Sequence, residues 1–295
     1  MYPLNLFCKT YSQDLKRAMR LLDSIRKHNV ENIPLYVCVP EREYDFFKPF
    51  MQGYELTLLK DEEVVCANSN NNIDLYRKLP GGMQQQIVKA EFWRLSTCIN
   101  YLCLDSDCKF IRDFRTEEFL WNDDTPYTVM DEGQEFLESV LKTSREYMIE
   151  DFHEGGVEYR DLFQRTGRVY SFGPMPVIWS RLVWESLDFG MLRPRGWSMV
   201  EAIQNHPSEI PWYGEALLKF QAIELRPCQP LFKVYHYARQ YDQAQRQGIG
   251  EAEIQKIYMG VIYQSAWERN MDWPAEIGGV GSIITRKLKR ALGRI

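Results

Sequence analysis

The sequence predicts an α/β fold in which a single mixed sheet is flanked by helices. Short apolar runs, typical of buried strands, alternate with longer segments whose apolar residues recur at helical spacing. This alternation indicates parallel strands joined by crossover helices. The chain has 295 residues, of which 45% are hydrophobic, and this is enough to bury a sizeable core.

The N-terminal elements follow a strand–helix–strand order. Residues 4–11 are predicted to form a buried strand and residues 12–29 an amphipathic helix. Residues 34–40 form a second predicted strand and residues 54–64 a third. The Asn-rich stretch 66–82 ends in Pro-Gly-Gly and is predicted to be a loop.

The middle of the chain continues this alternation. A predicted helix over residues 83–98 leads into an apolar strand over residues 99–105, and another strand is expected at residues 126–132. Residues 134–170 are predicted to be helical but irregular, because glycines interrupt them. Residues 170–187 combine a Gly-Pro turn, a short strand and the start of a helix.

The C-terminal part is predicted to hold two helices, one strand and a distinct tail. Residues 199–223 form a helix, a turn and a second helix, and residues 230–241 form a late strand. In the tail, residues 276–295, a glycine hinge precedes basic residues, and isoleucines and leucines fall on one helical face. This basic amphipathic helix would either dock on the body of the protein or lie on an anionic membrane surface.

The composition argues against several classes of protein. A net charge of −5 and a pI near 5.6 argue against a nucleic-acid-binding protein. The seven cysteines include no CxxC pair, so reduced thiols in the cytoplasm are expected. The N-terminus has no signal-peptide pattern, and no apolar run approaches the roughly 18 residues that a spanning helix needs.

The segment INYLCLDSDCKF, residues 99–110, places two carboxylates directly after a buried strand. Asp105 and Asp107 are two residues apart, so both side chains of an extended chain reach one point. Ligands of open α/β sheets bind at the carboxyl ends of the strands. Adjacent carboxylates repel unless a cation lies near them, and oxygen ligands favour Mg²⁺ or Mn²⁺. The residues therefore predict a divalent-metal site that holds a diphosphate.

Three other interpretations of this D-x-D motif remain open. It could be a solvated surface turn. It could mark a phosphohydrolase with Asp105 as covalent nucleophile, although a βαβ unit precedes the motif here and Lys109 occupies its fifth position. It could be a calcium loop, which needs further oxygen ligands where Lys109 and Ile111 supply none.

The segment LCLDSDCKFIRDF, preceded by GGMQQQIVKAEFWRL, resembles the D-x-D region of GT-A-fold glycosyltransferases. It is especially similar to bacterial enzymes of surface-polysaccharide and lipopolysaccharide synthesis, over residues 4–240. The order of the matches carries the resemblance more than any one of them. Further matching positions are Lys9, Thr10, Tyr11, Asp14, Arg17, Leu21, Ser24, Ile25, Gln85, Gln86, Lys89, Ser208, Glu209, Tyr213 and Gly214.

The resemblance implies a metal-dependent glycosyltransferase whose GT-A-like domain covers residues 1–275. Residues 1–110 would bind the nucleotide-diphosphate sugar, with UDP or GDP expected as the nucleotide. Residues 111–275 would bind the acceptor, a glycan or a lipid-linked saccharide. Such an enzyme would work in the cytoplasm, either free or held peripherally on the inner membrane face by residues 276–295.

The resemblance also implies the metal ligands and the donor contacts. Mn²⁺ or Mg²⁺ would be held by Asp105, Asp107 and a late histidine, His236, for which a core position is the competing interpretation. Lys89 would stabilise the diphosphate leaving group, unless it is an exposed helical lysine. The residues expected to contact the nucleotide sugar are Lys9, Thr10, Tyr11, Gln85, Gln86, Lys89, Asp105 and Ser106.

An inverting reaction is expected, and it needs a general base for the acceptor hydroxyl. The candidates are Glu209, Asp131 and Glu215, and the competing role of Glu209 is that of a capping acid at a helix start. A retaining enzyme would not need this base. The acceptor side is predicted to include Gly173, Pro174, Met175, Trp212 and Tyr213, with core packing as the alternative for the aromatic rings.

Two further functions remain open on the sequence alone. The same fold could hold a nucleotide sugar or a glycan without turnover. Alternatively, the D-x-D could belong to a phosphohydrolase.

Overall fold

In the described part of the chain, twelve strands form a central sheet and three small ones. The computed structural model describes residues 2–95, 97–141 and 147–271. The strands are β1 (Tyr2–Lys9), β2 (Leu35–Val39), β3 (Thr57–Lys60), β4 (Cys98–Asp105), β5 (Cys108–Phe110), β6 (Leu120–Asn122), β7 (Thr125–Pro126), β8 (Thr128–Val129), β9 (Val177–Ser180), β10 (Pro227–Cys228), β11 (Phe232–Tyr235) and β12 (Gly260–Tyr263).

The central sheet has five strands in the order β3-β2-β1-β4-β9. The first four are parallel to their neighbours, and β9 runs antiparallel to β4. Helices flank this sheet, so the predicted α/β class with a central mixed sheet is confirmed. Because β2 and β3 lie on one side of β1 and β4 on the other, the strand order reverses between β1 and β4. Such a reversal opens a ligand-binding crevice at the carboxyl ends of the two strands.

Helices flank the central sheet. In α1, the apolar residues at helical spacing are turned inward, and Leu15, Leu22 and Ile25 are buried as their spacing predicts. The helices are α1 (Leu15–His28), α2 (Tyr44–Met51), α3 (Asp61–Cys66), α4 (Ile73–Lys78), α5 (Gly81–Glu91), α6 (Gln134–Leu141), α7 (Tyr147–Leu162), α8 (Arg181–Leu187), α9 (Met199–Asn205), α10 (Glu209–Phe220), α11 (Ala238–Arg246) and α12 (Glu251–Ile254).

Aromatic rings hold the middle of the sheet to the helix that precedes β4. Phe7 of β1 stacks on Phe92, which follows α5, with ring centroids 4.0 Å apart. Tyr101 of β4 meets Trp179 of β9 edge to face at 5.7 Å. All four side chains are buried. Strand β4 is therefore covered on both faces, which explains its continuous apolar run.

A small three-stranded sheet, β11-β12-β5, brings the end of the described chain back to the D-x-D motif. Strand β5 begins directly after Asp107 and pairs antiparallel with β12. The amide of Tyr263 at the end of β12 donates to the Asp107 carbonyl at 3.4 Å. The sequence analysis did not predict β12 or this pairing.

Some sequence predictions of local structure are wrong. Residues 66–82 are not wholly a loop, because α4 forms within them. Asn72 caps this helix by accepting a hydrogen bond from the Leu75 amide at 3.0 Å, and one such cap can start a helix in a polar stretch. The strand expected over residues 230–241 ends at Tyr235, and α11 follows.

Other predicted strands are real but shorter. The strand expected over residues 54–64 is β3, after which α3 begins at once. The strand expected over residues 126–132 is reduced to β8, which pairs with β10 outside the central sheet. Helix α2 was missed by the sequence analysis, which left residues 41–53 unassigned.

Among the described residues, no helix is both long enough and apolar enough to cross a membrane. The predicted basic amphipathic helix over residues 276–295 lies outside the described residues.

Gly214 of α10 lies against the ring of Phe172, and we expect Gly214→Ala to destabilise the fold. A Cβ atom here would lie 2.0 Å from Cδ2 of Phe172, a buried side chain. Replacing a helical glycine by alanine ordinarily stabilises by about 1 kcal/mol. Overpacking of this kind costs about 1–3 kcal/mol, so the net effect should be a loss. Urea unfolding measures the difference.

Gly155→Ala in α7 is the matched control, because a Cβ atom there would have no neighbouring heavy atom within 4 Å. This variant should be as stable as the wild type or slightly more stable. Equal unfolding midpoints for the two variants would contradict the packing argument.

Candidate active site

Two motifs singled out in the sequence end side by side at the reversal of strand order. Lys9, the last residue of β1, is the register partner of Asp105, the last residue of β4. The segment Lys9-Thr10-Tyr11 therefore lies next to the D-x-D motif. Their proximity follows from the parallel pairing of the two strands over their whole length.

The D-x-D motif forms the tight connection between β4 and β5. The Asp105 side chain is 34% exposed, whereas Ser106 and Asp107 are buried. The amide of Ser265, which follows β12, donates to Oδ2 of Asp107 at 3.1 Å. The segment that follows β12 therefore fixes the Asp107 side chain, whereas the Asp105 side chain remains partly exposed to solvent.

The two carboxylates of the motif repel each other. Burial, and next to it the charge of Asp105, raises the pKa of Asp107 to about 7. Asp14, at the start of α1, adds to the negative potential at Asp107. Such a pair of carboxylate oxygens has the donor chemistry that Mg²⁺ and Mn²⁺ prefer.

A three-ligand metal set is not formed by the residues that the structure describes. Within residues 2–95, 97–141 and 147–271, no three His, Cys, Asp or Glu side chains are grouped so that they could hold a metal ion. His236 follows β11, where its ring lies 5.1 Å from that of Phe136. Burial lowers the pKa of His236, so its imidazole is neutral at pH 7. The structure therefore does not bring His236 together with Asp105 and Asp107 as one set.

Lys89 joins the D-x-D motif to the start of α10. Its Nζ lies 2.7 Å from Oδ1 of Asp105 and 3.2 Å from Oε1 of Glu209. Lys89 is 3% exposed and Glu209 5%, so the interpretation of Lys89 as an exposed helical lysine is wrong. Burial alone would lower the pKa of Lys89, but Asp105 and Glu209 hold it well above its ordinary value. The ammonium is therefore charged and shared by two carboxylates.

Helix α5 fixes Glu209 through a second contact. Gln86 lies one turn before Lys89, and its Oε1 accepts a hydrogen bond from the Ser208 amide at 3.1 Å. Ser208 has φ +120°, a conformation that costs a non-glycine residue about 1–3 kcal/mol and needs such support. The contacts of Gln86 and Lys89 therefore hold Ser208 and Glu209 next to the end of β4. Gln85 is half-buried on the same helix.

The end of β1 is held by a buried acid that the sequence analysis missed. Nζ of Lys9 lies 3.0 Å from Oδ2 of Asp61 and donates to the Thr10 carbonyl at 2.7 Å. Burial raises the pKa of Asp61 in spite of this partner. The signal available in the sequence was the position of Asp61 directly after a strand. Tyr11 is 40% exposed beside this cluster, whereas Thr10 is buried.

A cavity of about 610 Å³ contains several of the other predicted residues. It is bordered by α7, α10 and β11. Its wall includes Ser208, the residue directly before Glu209. The predicted site residues that line it are Asp131, Gly173, Pro174, Glu215 and His236.

The carboxylates of this cavity differ in their partners. Both oxygens of Glu215 bind the guanidinium of Arg165, with Nε–Oε2 at 2.6 Å and Nη2–Oε1 at 2.9 Å. No local sequence pattern indicates this ion pair, because the two residues are 50 positions apart. Asp131 is half-buried and has no ion pair among the described residues.

Three residues predicted for the acceptor side are buried in the core instead of lining the cavity. The indole N–H of Trp212 donates to the His206 carbonyl at 3.0 Å. The Tyr213 hydroxyl accepts a hydrogen bond from the Ser180 amide at 2.8 Å. Met175 is 9% exposed. These contacts match the alternative interpretation, in which the rings are packing residues.

Removing the Lys89 ammonium would leave Asp105 and Glu209 close together without a counter-charge. We therefore expect Lys89→Met to lower the free energy of unfolding by about 3–5 kcal/mol at pH 7. Acidification should recover part of the loss, because protonation of one carboxylate relieves the repulsion. Urea unfolding at several pH values measures both effects.

The control is Lys219→Met, the same change at an exposed position of α10. Its effect should stay within about 0.5 kcal/mol. Equal losses in the two variants would refute the shared ion pair as a source of stability.

No curated protein matches the chain. Its structure is similar to that of apo mouse xyloside xylosyltransferase 1, with a TM-score of 0.45 and 9% identity over 92% of this chain and 99% of the other. It is also similar to the apo bifunctional glycosyltransferase WbbM, with a TM-score of 0.48 and 12% identity over 89% of this chain and 46% of the other.

One family profile matches the N-terminal part of the chain, from β1 into α7. The matched segment contains the D-x-D motif, Lys89 and Asp61, and it ends before Glu209. It is the profile of a family of unknown function, DUF6492; it matches residues 1–157, more than half of the chain, and the protein therefore belongs to this family.

Proposed function

We propose that the protein is a glycosyltransferase that moves a sugar from a nucleoside diphosphate to an acceptor hydroxyl. The observation that carries the proposal is the buried Lys89 ammonium, which ties Asp105 of the D-x-D to Glu209 beside the crevice between β1 and β4. Open α/β sheets bind nucleotides at such a crevice. The carboxylate pair next to it suits a diphosphate that arrives with a divalent cation.

Asp105 and Asp107 are the residues that would hold Mn²⁺ or Mg²⁺ in this proposal. Two observations support the fit: Asp105 is partly open to solvent, and burial, together with the charge of Asp105, raises the pKa of Asp107. The ion, when bound, neutralises charge on the diphosphate and eases its departure. A contribution from His236 stays a prediction, since it is not grouped with the two aspartates.

On the donor side, the contacts divide the predicted residues into two groups. The partly exposed side chains of Tyr11 and Asp105 would contact the nucleotide sugar. Gln86 and Lys89 already bind protein partners, which supports a positioning role for them. Lys9 similarly holds the end of β1 through Asp61.

In the proposed reaction, the acceptor oxygen bonds to the anomeric carbon while the bond from that carbon to the diphosphate breaks. The leaving diphosphate takes the electron pair, and the hydroxyl proton passes to a carboxylate. Glu209 and Glu215 are each bound to a cationic side chain. Asp131 faces the cavity without an ion pair among the described residues. We therefore assign the base of an inverting reaction to Asp131.

The proposal extends to the acceptor and the location in the cell. The residues that resemble enzymes of bacterial surface-polysaccharide and lipopolysaccharide synthesis support a glycan or lipid-linked saccharide as acceptor. They also support action in the cytoplasm or on the inner membrane face. Residues 1–110 would form the donor part and residues 111–275 the acceptor part, in keeping with the crevice and the cavity described above.

Binding of nucleoside diphosphates tests the donor site. We expect UDP or GDP to bind in the presence of Mn²⁺, and Asp107→Asn to weaken this binding by at least about tenfold, because a cation ligand is lost. Isothermal titration calorimetry with and without Mn²⁺ measures the effect. Asp124→Asn, at an exposed position between β6 and β7, is the control and should bind like the wild type.

The outcome separates the competing functions. A lack of nucleotide binding under every condition would refute the proposed function and favour a phosphohydrolase or a surface turn. Binding of a nucleotide sugar without hydrolysis or transfer to any acceptor would favour a non-catalytic binding module.

The assignment of the base predicts a change in turnover alone. Asp131→Asn should lower kcat by about 10²–10⁴-fold, because the acceptor hydroxyl loses its proton acceptor. Nucleotide affinity should not change, since Asp131 lies in the cavity and not at the D-x-D. Asp124→Asn is again the control, because Asp124 is exposed and lies outside the cavity wall. If both variants keep wild-type kcat, Asp131 is not the base.

A further inference from the structure

We infer that the cavity bordered by α7, α10 and β11 accepts an uncharged saccharide joined to an apolar group, rather than a sugar held through a phosphate. The inference rests on the proposed glycosyl transfer and specifies the acceptor class for the same site. It follows from the chemistry of the cavity wall, from its charge and from its position.

Aromatic rings form part of an apolar cavity wall. Four prolines and several aliphatic side chains fill the gaps between the rings. Flat apolar walls of this kind bind the C–H face of a pyranose or an apolar aglycone, and a volume of about 610 Å³ is in the usual range for ligand pockets. The aromatic residues of the wall are Phe136, Phe152, Tyr159, Tyr170, Phe172, Phe232 and Tyr258.

Carboxylates outnumber imidazoles among the ionisable groups of the wall, which also include His153 and His236. Four carboxylates line it, those of Asp131, Glu132, Glu135 and Glu215. Three of them are neutralised by salt bridges: Glu132 to Arg168, Glu135 to Lys233 and Glu215 to Arg165. The cationic side chains of Arg165, Arg168 and Lys233 are therefore already bound to carboxylates of the wall.

Such a wall selects against phosphate. Carboxylate oxygens accept hydrogen bonds from sugar hydroxyls, which are donors. The Asp131 carboxylate, which has no ion pair among the described residues, repels a phosphate, whereas the cations of the three ion pairs are already bound to carboxylates. An uncharged saccharide gains the hydrogen bonds without the repulsion, so the wall distinguishes the two classes of acceptor.

The position of the cavity joins it to the proposed reaction. Pro207 and Ser208 belong to its wall, and the next residue, Glu209, binds Lys89 beside Asp105. Tyr159 braces this corner by donating from its hydroxyl to the Pro207 carbonyl at 2.8 Å. A saccharide in the cavity would therefore present a hydroxyl near the donor crevice, with its aglycone toward α7.

Ligand-observed NMR tests the inference. The probes are para-nitrophenyl glycosides of glucose, galactose and mannose, each compared with its sugar phosphate, in the presence of UDP or GDP and Mn²⁺. We expect saturation transfer to at least one glycoside, and an affinity for its phosphate lower by about tenfold or more. Tighter binding of the phosphate than of the glycoside would overturn the inference.

A cavity-filling variant locates the binding. Gly155 lines the cavity and has open space beyond its Cβ position, so Gly155→Leu should fold while occluding the aglycone. It should weaken glycoside binding by about tenfold or more. Glu154→Leu, which adds leucine at the neighbouring exposed position outside the cavity wall, should bind like the wild type. Glycoside binding that is unchanged in Gly155→Leu would overturn the assignment to this cavity.

Calorimetry with UDP and GDP separates the two proposals. Retained nucleotide binding with no glycoside binding would overturn the acceptor inference alone. Loss of nucleotide binding in the wild type would overturn the proposed function itself.

Discussion

The organisation of the candidate site depends on one buried cation. The Lys89 ammonium is shared by Asp105 and Glu209, which belong to a strand and a helix about 100 residues apart in sequence. A buried charge is tolerated only when it is paired, so this contact constrains helix α5, the end of β4 and the start of α10 together. Gln86 adds a hydrogen bond to Ser208 from the same helix. Neighbouring side chains of α5 therefore fix the position of the donor crevice relative to the cavity.

The remaining charges of the site follow the same rule. Lys9 is paired with Asp61 and Glu215 with Arg165, so that each of these buried ions has a partner. The D-x-D is the exception. Asp107 is buried there, and the negative charge of the neighbouring Asp105 further disfavours its ionised form. Among the described residues Asp107 forms no ion pair, and this supports the proposal that a cation would bind at the D-x-D.

Much of the fold could be predicted because its signals are local. The apolar run before Asp105 predicts a strand buried on both faces, and the amphipathic spacing of α1 predicts its buried side. The short strands and the cap at Asn72 were misjudged, since a few residues carry little periodicity. Strand β12 and its pairing with β5 could not be predicted, because that contact joins segments about 150 residues apart.

The sequence by itself determined the α/β class, the position of the D-x-D directly after a buried strand and the set of charged residues from which a site could be built. The tertiary structure decided which of them meet: Lys89 with Glu209, Glu215 with Arg165, and Asp107 with the Ser265 amide. It also placed Trp212 and Tyr213 in the core and Asp131 in the cavity. Residue types and strand periodicity can be recognised from neighbouring positions along the chain. The pairing of charges depends on distances across the folded molecule, which only packing sets.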